Sequence, residues 1–178
     1  MKKILFVIAI LAVLSPIANA QSLEDPKGEI RLNFLNTILL GSVEIGYDFF
    51  VGHDQSVGVE LHLNDRFGYS SSSGDRSFSA TSVLVSYNFF FAGDDNGKIY
   101  ISPYFKYRFG DFTDVVDNIT EVTSLNSGYL GLIGGYRWNY NNFAFGPFAG
   151  IGRGFSEPVN DKFSAVEFKA GFNVGYRF

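Results

Sequence analysis

The 178-residue chain has no cysteine, one methionine, one tryptophan and two histidines. Without cysteine, a disulfide scaffold, thiol catalysis and cysteine-ligated zinc are excluded. His53 and His62 leave little material for a histidine-rich metal centre, so no metal site and no cofactor is expected. An excess of positive charge is missing too. Fourteen Lys+Arg stand against 18 Asp+Glu, net −4, and no nucleic-acid partner is expected. What is present is 20 Phe, 10 Tyr and 20 Gly in a chain that is 46% hydrophobic, which excludes a disordered polymer.

The first twenty residues read as an export signal. Lys2 and Lys3 precede an eleven-residue apolar run, Ile4 to Leu14, and Ser15-Pro16 then breaks the helix. Ala18-Asn19-Ala20 supplies a small-x-small cleavage pattern, with Ala18 and Ala20 as the recognised residues. A membrane anchor needs about 20 apolar residues, and this run is too short. Gln21, not cysteine, follows the cut, so lipoprotein anchoring is excluded. The expected organisation is a signal peptide over 1–20 and one domain over 21–178. Losing Lys2 and Lys3 takes 14 bases to 12 against 18 acids, net −6.

Almost the whole remainder alternates with a period of two, the mark of strands with two unlike faces. Val43, Ile45, Tyr47 and Phe49 alternate with Glu44, Gly46 and Asp48; Val57 to Leu63 alternate with Gly58, Glu60 and His62. The same rhythm runs through 83–89, 99–109 and 166–178, and more weakly through 29–37, 130–138 and 143–151. That predicts eight strands of roughly ten residues, the length that crosses a bilayer when tilted. Short connectors near Gly52–Gln55, Gly93–Lys98 and Asn139–Asn142 alternate with longer ones at Asp65–Ser77, Asp111–Asn126 and Phe155–Ser164. A short connector near Leu39–Gly41 breaks this rule. An even strand count puts both termini on the side of the short turns.

Two barrels share such a pattern: a soluble one with an apolar interior, and a membrane one with the faces exchanged. Aromatic placement separates them. Tyr47, Phe49, Phe50, Phe89, Phe90, Phe91, Trp138, Tyr140, Phe143, Phe145, Tyr176 and Phe178 all lie at strand ends beside short turns. Mapped on a barrel they ring one rim, as a girdle at headgroup level does. The prediction is an all-β, eight-stranded antiparallel transmembrane barrel of up-and-down order.

The last strand, Phe172-Asn173-Val174-Gly175-Tyr176-Arg177-Phe178, ends in an aromatic with apolar residues at every second position before it. It resembles the C-terminal assembly signal of bacterial outer-membrane barrels. That resemblance implies recognition of Phe172, Val174, Tyr176 and Phe178 by the barrel-insertion machinery. The whole mature chain resembles the small eight-stranded class, the OmpX, OmpA-transmembrane and OmpW-like proteins. It implies location in a Gram-negative outer membrane, with lipid and lipopolysaccharide as surroundings.

Eight strands enclose a space that side chains can just fill. The inward face carries Arg31, Lys106, Arg108, Arg137, Lys169 and Arg177 against Glu29, Glu44, Asp48, Glu60 and Glu167, beside His62. Buried charges must pair, so an internal ion-pair network is expected. Gly131, Gly135, Gly146, Gly150, Gly152, Gly171 and Gly175 form a bare wall, which either makes room for long side chains or leaves a pocket.

The leading expectation is a non-enzymatic envelope protein with a plugged polar lumen, acting structurally or through its outer loops. A narrow binding or transport barrel for a small apolar or amphipathic ligand is the alternative. A lipid-modifying enzyme is a second alternative, with His62 as base beside Glu60 and Glu44. The deacylase barrels it would resemble carry His-x-Ser where this chain has His62-Leu63-Asn64. The connector Asp111–Asn126 is expected as an acidic loop through Asp111, Asp114, Asp117 and Glu121, and Asp94-Asp95-Asn96-Gly97 as a tight turn.

Overall fold

The computed structural model describes residues 26–65, 77–116 and 119–178. The predicted signal peptide with Ala18 and Ala20, most of the 65–77 connector, Asp117 and Asn118 lie outside these. Alternation builds nine strands: β1 (Gly28–Asn33), β2 (Val43–Gly52), β3 (Gln55–Leu63), β4 (Ser77–Asp94), β5 (Gly97–Val116), β6 (Ile119–Ser124), β7 (Ser127–Tyr140), β8 (Phe143–Gly154) and β9 (Val166–Arg177). Each pairs antiparallel with its neighbour, except that β7 skips β6 and pairs with β5. β1 pairs with β9, from Glu29 opposite Arg177 to Asn33 opposite Asn173, and closes an eight-stranded barrel. Phe178 is bonded to Lys27 and Gly28, so the described chain ends meet at the short-turn rim.

The faces are those of a membrane barrel. Glu44, Asp48, His62, Lys106 and Arg108 are buried, while Ile45, Leu61, Val85, Ile101, Phe105, Leu130 and Ile151 are exposed on the outer wall. Large charged groups are almost never the buried set in a water-soluble fold. With lipid outside, the arrangement satisfies both faces. No helix among the described residues is long and apolar enough to span a membrane; the strands span it, and closure leaves each backbone group a partner along the ladders. Outward rings pair along the short-turn rim: Tyr136 with Trp138 at 4.7 Å, Tyr87 with Phe89 at 4.7 Å, and Phe143 with Tyr176 at 5.5 Å.

The expected strand over 29–37 ends instead at Asn33. There a helix, α1 (Phe34–Leu40), begins. Asn33 is its N-cap, its side chain accepting from the Asn36 amide, and Gly41 ends it at φ 64°. Phe34, Leu35, Ile38 and Leu39 recur as i, i+1, i+4 and i+5 and face outward, Ile38 63% and Leu39 68% exposed. Buried Asn36 faces in. The break in the connector rule is thus an amphipathic helix standing in the wall between β2 and β9, its own backbone bonds satisfied internally.

Two expected long loops are also partly regular. Beyond the barrel rim β5 continues to Val116 and pairs with β6 from Asp111 opposite Ser124 to Val116 opposite Ile119, a projecting hairpin in place of an acidic loop. Within 155–164 lies α2 (Glu157–Lys162), whose Lys162 reaches Glu121 at 3.0 Å and sits 5.3 Å from the Phe112 ring.

Candidate functional site

The candidate site is the lumen, and it is filled in layers. Nearest the short turns, Glu29 meets Arg177 at 3.1 Å and also contacts Arg137. Phe50 and Phe90 close this layer from inside, stacked 6.3 Å apart under the two guanidiniums. This corrects the expected girdle: Phe50 and Phe90 point into the barrel and do not belong to the outer ring.

In the next layer Arg31 joins Asp48 and donates to Glu60 at 2.5 Å. Asn88 donates to Asp48 at 3.1 Å and to Ser56 at 2.8 Å, and accepts from Ser102 at 2.5 Å. Above it, the Lys169 ammonium lies 3.0 Å from Glu44, 3.1 Å from Glu60 and 3.1 Å from His62 Nε2. Asn33 and Asn36 each donate to Glu44 at 2.9 Å, so α1 completes this layer. Glu44, Glu60 and His62 also lie close enough together to hold a metal ion. Lys169 stands among all three, so the chain's own cation fills that cradle.

The outermost layer turns on Asp65. Arg108 donates to it through Nε at 3.1 Å and Nη2 at 3.0 Å, Ser82 at 2.5 Å, and Lys106 approaches at 3.2 Å. Arg108 also bonds Glu167 at 2.7 Å and the Tyr129 hydroxyl at 2.8 Å, and Lys106 contacts Glu167. Sequence reasoning placed Asp65 in a loop. Adding it to the five acids already assigned inward makes six, against the six bases. Alternation already set Asn33 and Asn88 on the polar face; Asn36 and Tyr129 were missed, one on a helix the strand rhythm hides and the other just before the expected strand from Leu130.

The opposite half of the lumen is apolar. Leu84, Tyr104, Ile133 and Phe148 form a cluster with Tyr100 against it. A Cβ on Gly135 would meet three Tyr100 ring and hydroxyl atoms at 2.7 Å, and one on Gly131 would meet Tyr104 Cζ at 2.6 Å. Tyr100 and Tyr104 thus cover Gly131, Gly135 and Gly152, Asn33 and Glu29 cover Gly171 and Gly175, and β7 itself crowds Gly146 and Gly150. A void inside this packing, between Tyr100, Ile133, Phe148 and Arg31, measures about 30 Å³, room for one or two waters.

Among the described residues, no reactive constellation forms around His62. Ser82 is its register partner on β4, but the Ser82 hydroxyl is directed at Asp65. Outside the membrane, the Lys98 ammonium hydrogen-bonds Asp54 at 2.6 Å in the β2–β3 turn and holds that carboxyl below its ordinary range. Asp94 accepts from the amides of Asn96 and Gly97 at 2.9 and 3.1 Å, which forms the tight β4–β5 turn.

No protein-family model matches the chain, and no curated protein matches it in sequence. Solved structures do match in shape. Neisserial surface protein A is 14% identical, with 85% of this chain and 93% of that chain covered at a TM-score of 0.54. The N-terminal β-barrel domain of Pseudomonas aeruginosa OprF is 12% identical, with 85% and 95% covered at a TM-score of 0.50. At such identities the likeness concerns architecture, and with the lipid-facing wall described above it leads to one conclusion: the chain has the fold of the small eight-stranded outer-membrane β-barrels.

Proposed function

We propose that this protein is a non-enzymatic component of a Gram-negative outer membrane whose lumen is a structural plug and whose outer hairpin and α2 meet surface partners. The carrying observation is the lumen itself: six acids and six bases in contact and an aromatic layer beneath them. A path for ions would require breaking several of these buried pairs at once, each costing about 3–5 kcal/mol. The tyrosine, asparagine and glutamate side chains packed over the glycine wall argue equally against a lumenal ligand, and the Ser82–Asp65 bond argues against nucleophilic chemistry at His62.

The same reading takes 1–20 as the export signal cut after Ala20. Phe172, Val174, Tyr176 and Phe178 then form the segment read by the insertion machinery. The first three lie on the lipid face of β9, next to the closing seam with β1. Exposed Ile119 and Val122 put one apolar side chain on each face of the projecting hairpin, above the lipid. The test is single-channel recording of the mature barrel in planar bilayers. No stable unit conductance is expected; a steady open level would overturn the plug.

A further inference from the structure

A second cavity, of about 270 Å³, opens at the short-turn end of the barrel against the first packed layer. Arg137, Arg177, Lys98, Asn96 and Asn139 line it, with Phe50 and Phe90 as its floor. Arg137 is more than nine-tenths buried, its guanidinium 5.1 Å from the Phe90 ring and 5.6 Å from Phe50; Arg177 lies 5.8 Å from Phe50. Aromatic faces hold both side chains in place while their edges stay available.

The two guanidiniums share one carboxylate oxygen, Glu29 Oε2, through Arg137 Nη2 and Arg177 Nε. Two cations therefore stand on one anion, while the layer above has the opposite surplus, with Asp48, Glu44 and Glu60 against Arg31 and Lys169. A guanidinium carries five N–H donors. Among the described residues, Arg137 Nε and Nη1 and both terminal nitrogens of Arg177 have no hydrogen-bond acceptor. Lys98 on the facing lip is neutralised by Asp54, and Asp95 faces the cavity from the exposed turn tip.

We propose that this mouth is an oxyanion site, taking a phosphate-type group between Arg137 and Arg177 on the side of the membrane where the chain ends meet. Planar forked donors match phosphate oxygens two at a time, and a partly desolvated pair of them binds far better than surface lysines do. A cavity just under the usual small-molecule range of about 300–1,000 Å³ admits a headgroup-sized anion and no acyl chain. The site opens on the short-turn side of the Glu29, Arg137 and Arg177 layer, so anion binding there requires no open lumen.

The experiment is calorimetric titration of the mature barrel, in an uncharged detergent, with inorganic phosphate. Saturable one-to-one binding is expected. Arg177→Gln, which leaves the Arg137–Glu29 pair, weakens it by about tenfold or more. Arg177→Lys, which keeps the charge and loses the fork, falls between the two. Both variants are first checked for the heat-dependent gel shift of a folded barrel. Competition by short-chain phosphatidylglycerol below its micellar concentration identifies a lipid headgroup as the source; its failure to compete identifies a soluble anion. Absence of saturable binding in the wild type, or equal affinity in both variants, overturns the proposal.

Discussion

Arg108 and Asp65 form a forked pair at the outer end of the lumen, Nε and Nη2 both donating to one carboxylate oxygen at 3.1 and 3.0 Å, with each side chain at most 1% exposed. The same oxygen accepts from Ser82 and Lys106, so one acid holds two cations and links β4 and β5 to the end of β3. Asp65→Asn removes the charge without changing the volume. It leaves Arg108 and Lys106 with Glu167 alone, and a loss of about 3–5 kcal/mol is expected. Denaturant unfolding in detergent, followed by gel mobility, measures it. A loss below about 1 kcal/mol would mean that Glu167 suffices for both cations.

How Asp65 escaped the sequence reading is itself physical. Period two held from Val57 to Leu63, with Glu60 and His62 inward, and would put Asp65 outward. Asn64 adopts a left-handed conformation, φ 57°, which resets the phase by one residue and turns Asp65 into the barrel. Nothing in the alternation announces such a reset. Phe50 and Phe90 are the reverse case: they are in phase with inward Asp48 and Asn88, and only the attraction of an aromatic girdle moved them to the rim. The barrel strands were legible because five of them repeat an unbroken two-residue rhythm with unlike faces. α1 was not, because Ile30, Leu32 and Phe34 continue the strand rhythm across a cap that depends on Asn33.

The relation between Gly135 and Tyr100 tests whether the glycines exist to make room. Gly135→Ala places a methyl 2.7 Å from three Tyr100 atoms, and overpacking of this kind costs about 1–3 kcal/mol. In a Tyr100→Ala background those three contacts are gone and the cost of the same methyl is expected to fall towards zero. A double-mutant cycle on unfolding free energy reads the difference. Equal cost in both backgrounds would assign Gly135 to backbone bending.

Lipid contact distinguishes two exposed valines. Val59 lies on the outer wall in the middle of β3, and Val122 lies on the hairpin beyond the rim. Val59→Arg is expected to destabilise by about 2–4 kcal/mol, as a cation facing the bilayer midplane does. Val122→Arg should stay within about 0.5 kcal/mol, as at an ordinary wet surface. Refolding equilibria in phospholipid vesicles give both values. Similar costs at the two positions would place the hydrocarbon boundary wrongly.

The Asn33 amide, whose oxygen also accepts from the Phe172 backbone amide at 3.4 Å, joins α1 to the lumen, and its variants separate the two roles. Its oxygen caps α1 by accepting from the Asn36 amide, and its nitrogen donates to Glu44 at 2.9 Å. Asn33→Ala loses both, about 1 kcal/mol for the cap and about 1–3 kcal/mol for a buried carboxylate deprived of a donor. Asn33→Asp keeps a capping oxygen yet sets a second carboxylate against Glu44, so it should destabilise the barrel at least as much as alanine while α1 stays folded. Hydrogen exchange separates the outcomes. Alanine exposes the α1 amides early, and aspartate leaves them protected and loosens the Lys169 layer first. If aspartate instead proves harmless, Lys169 already carries enough charge to hold both acids, and the contribution of α1 to the lumen is its cap alone.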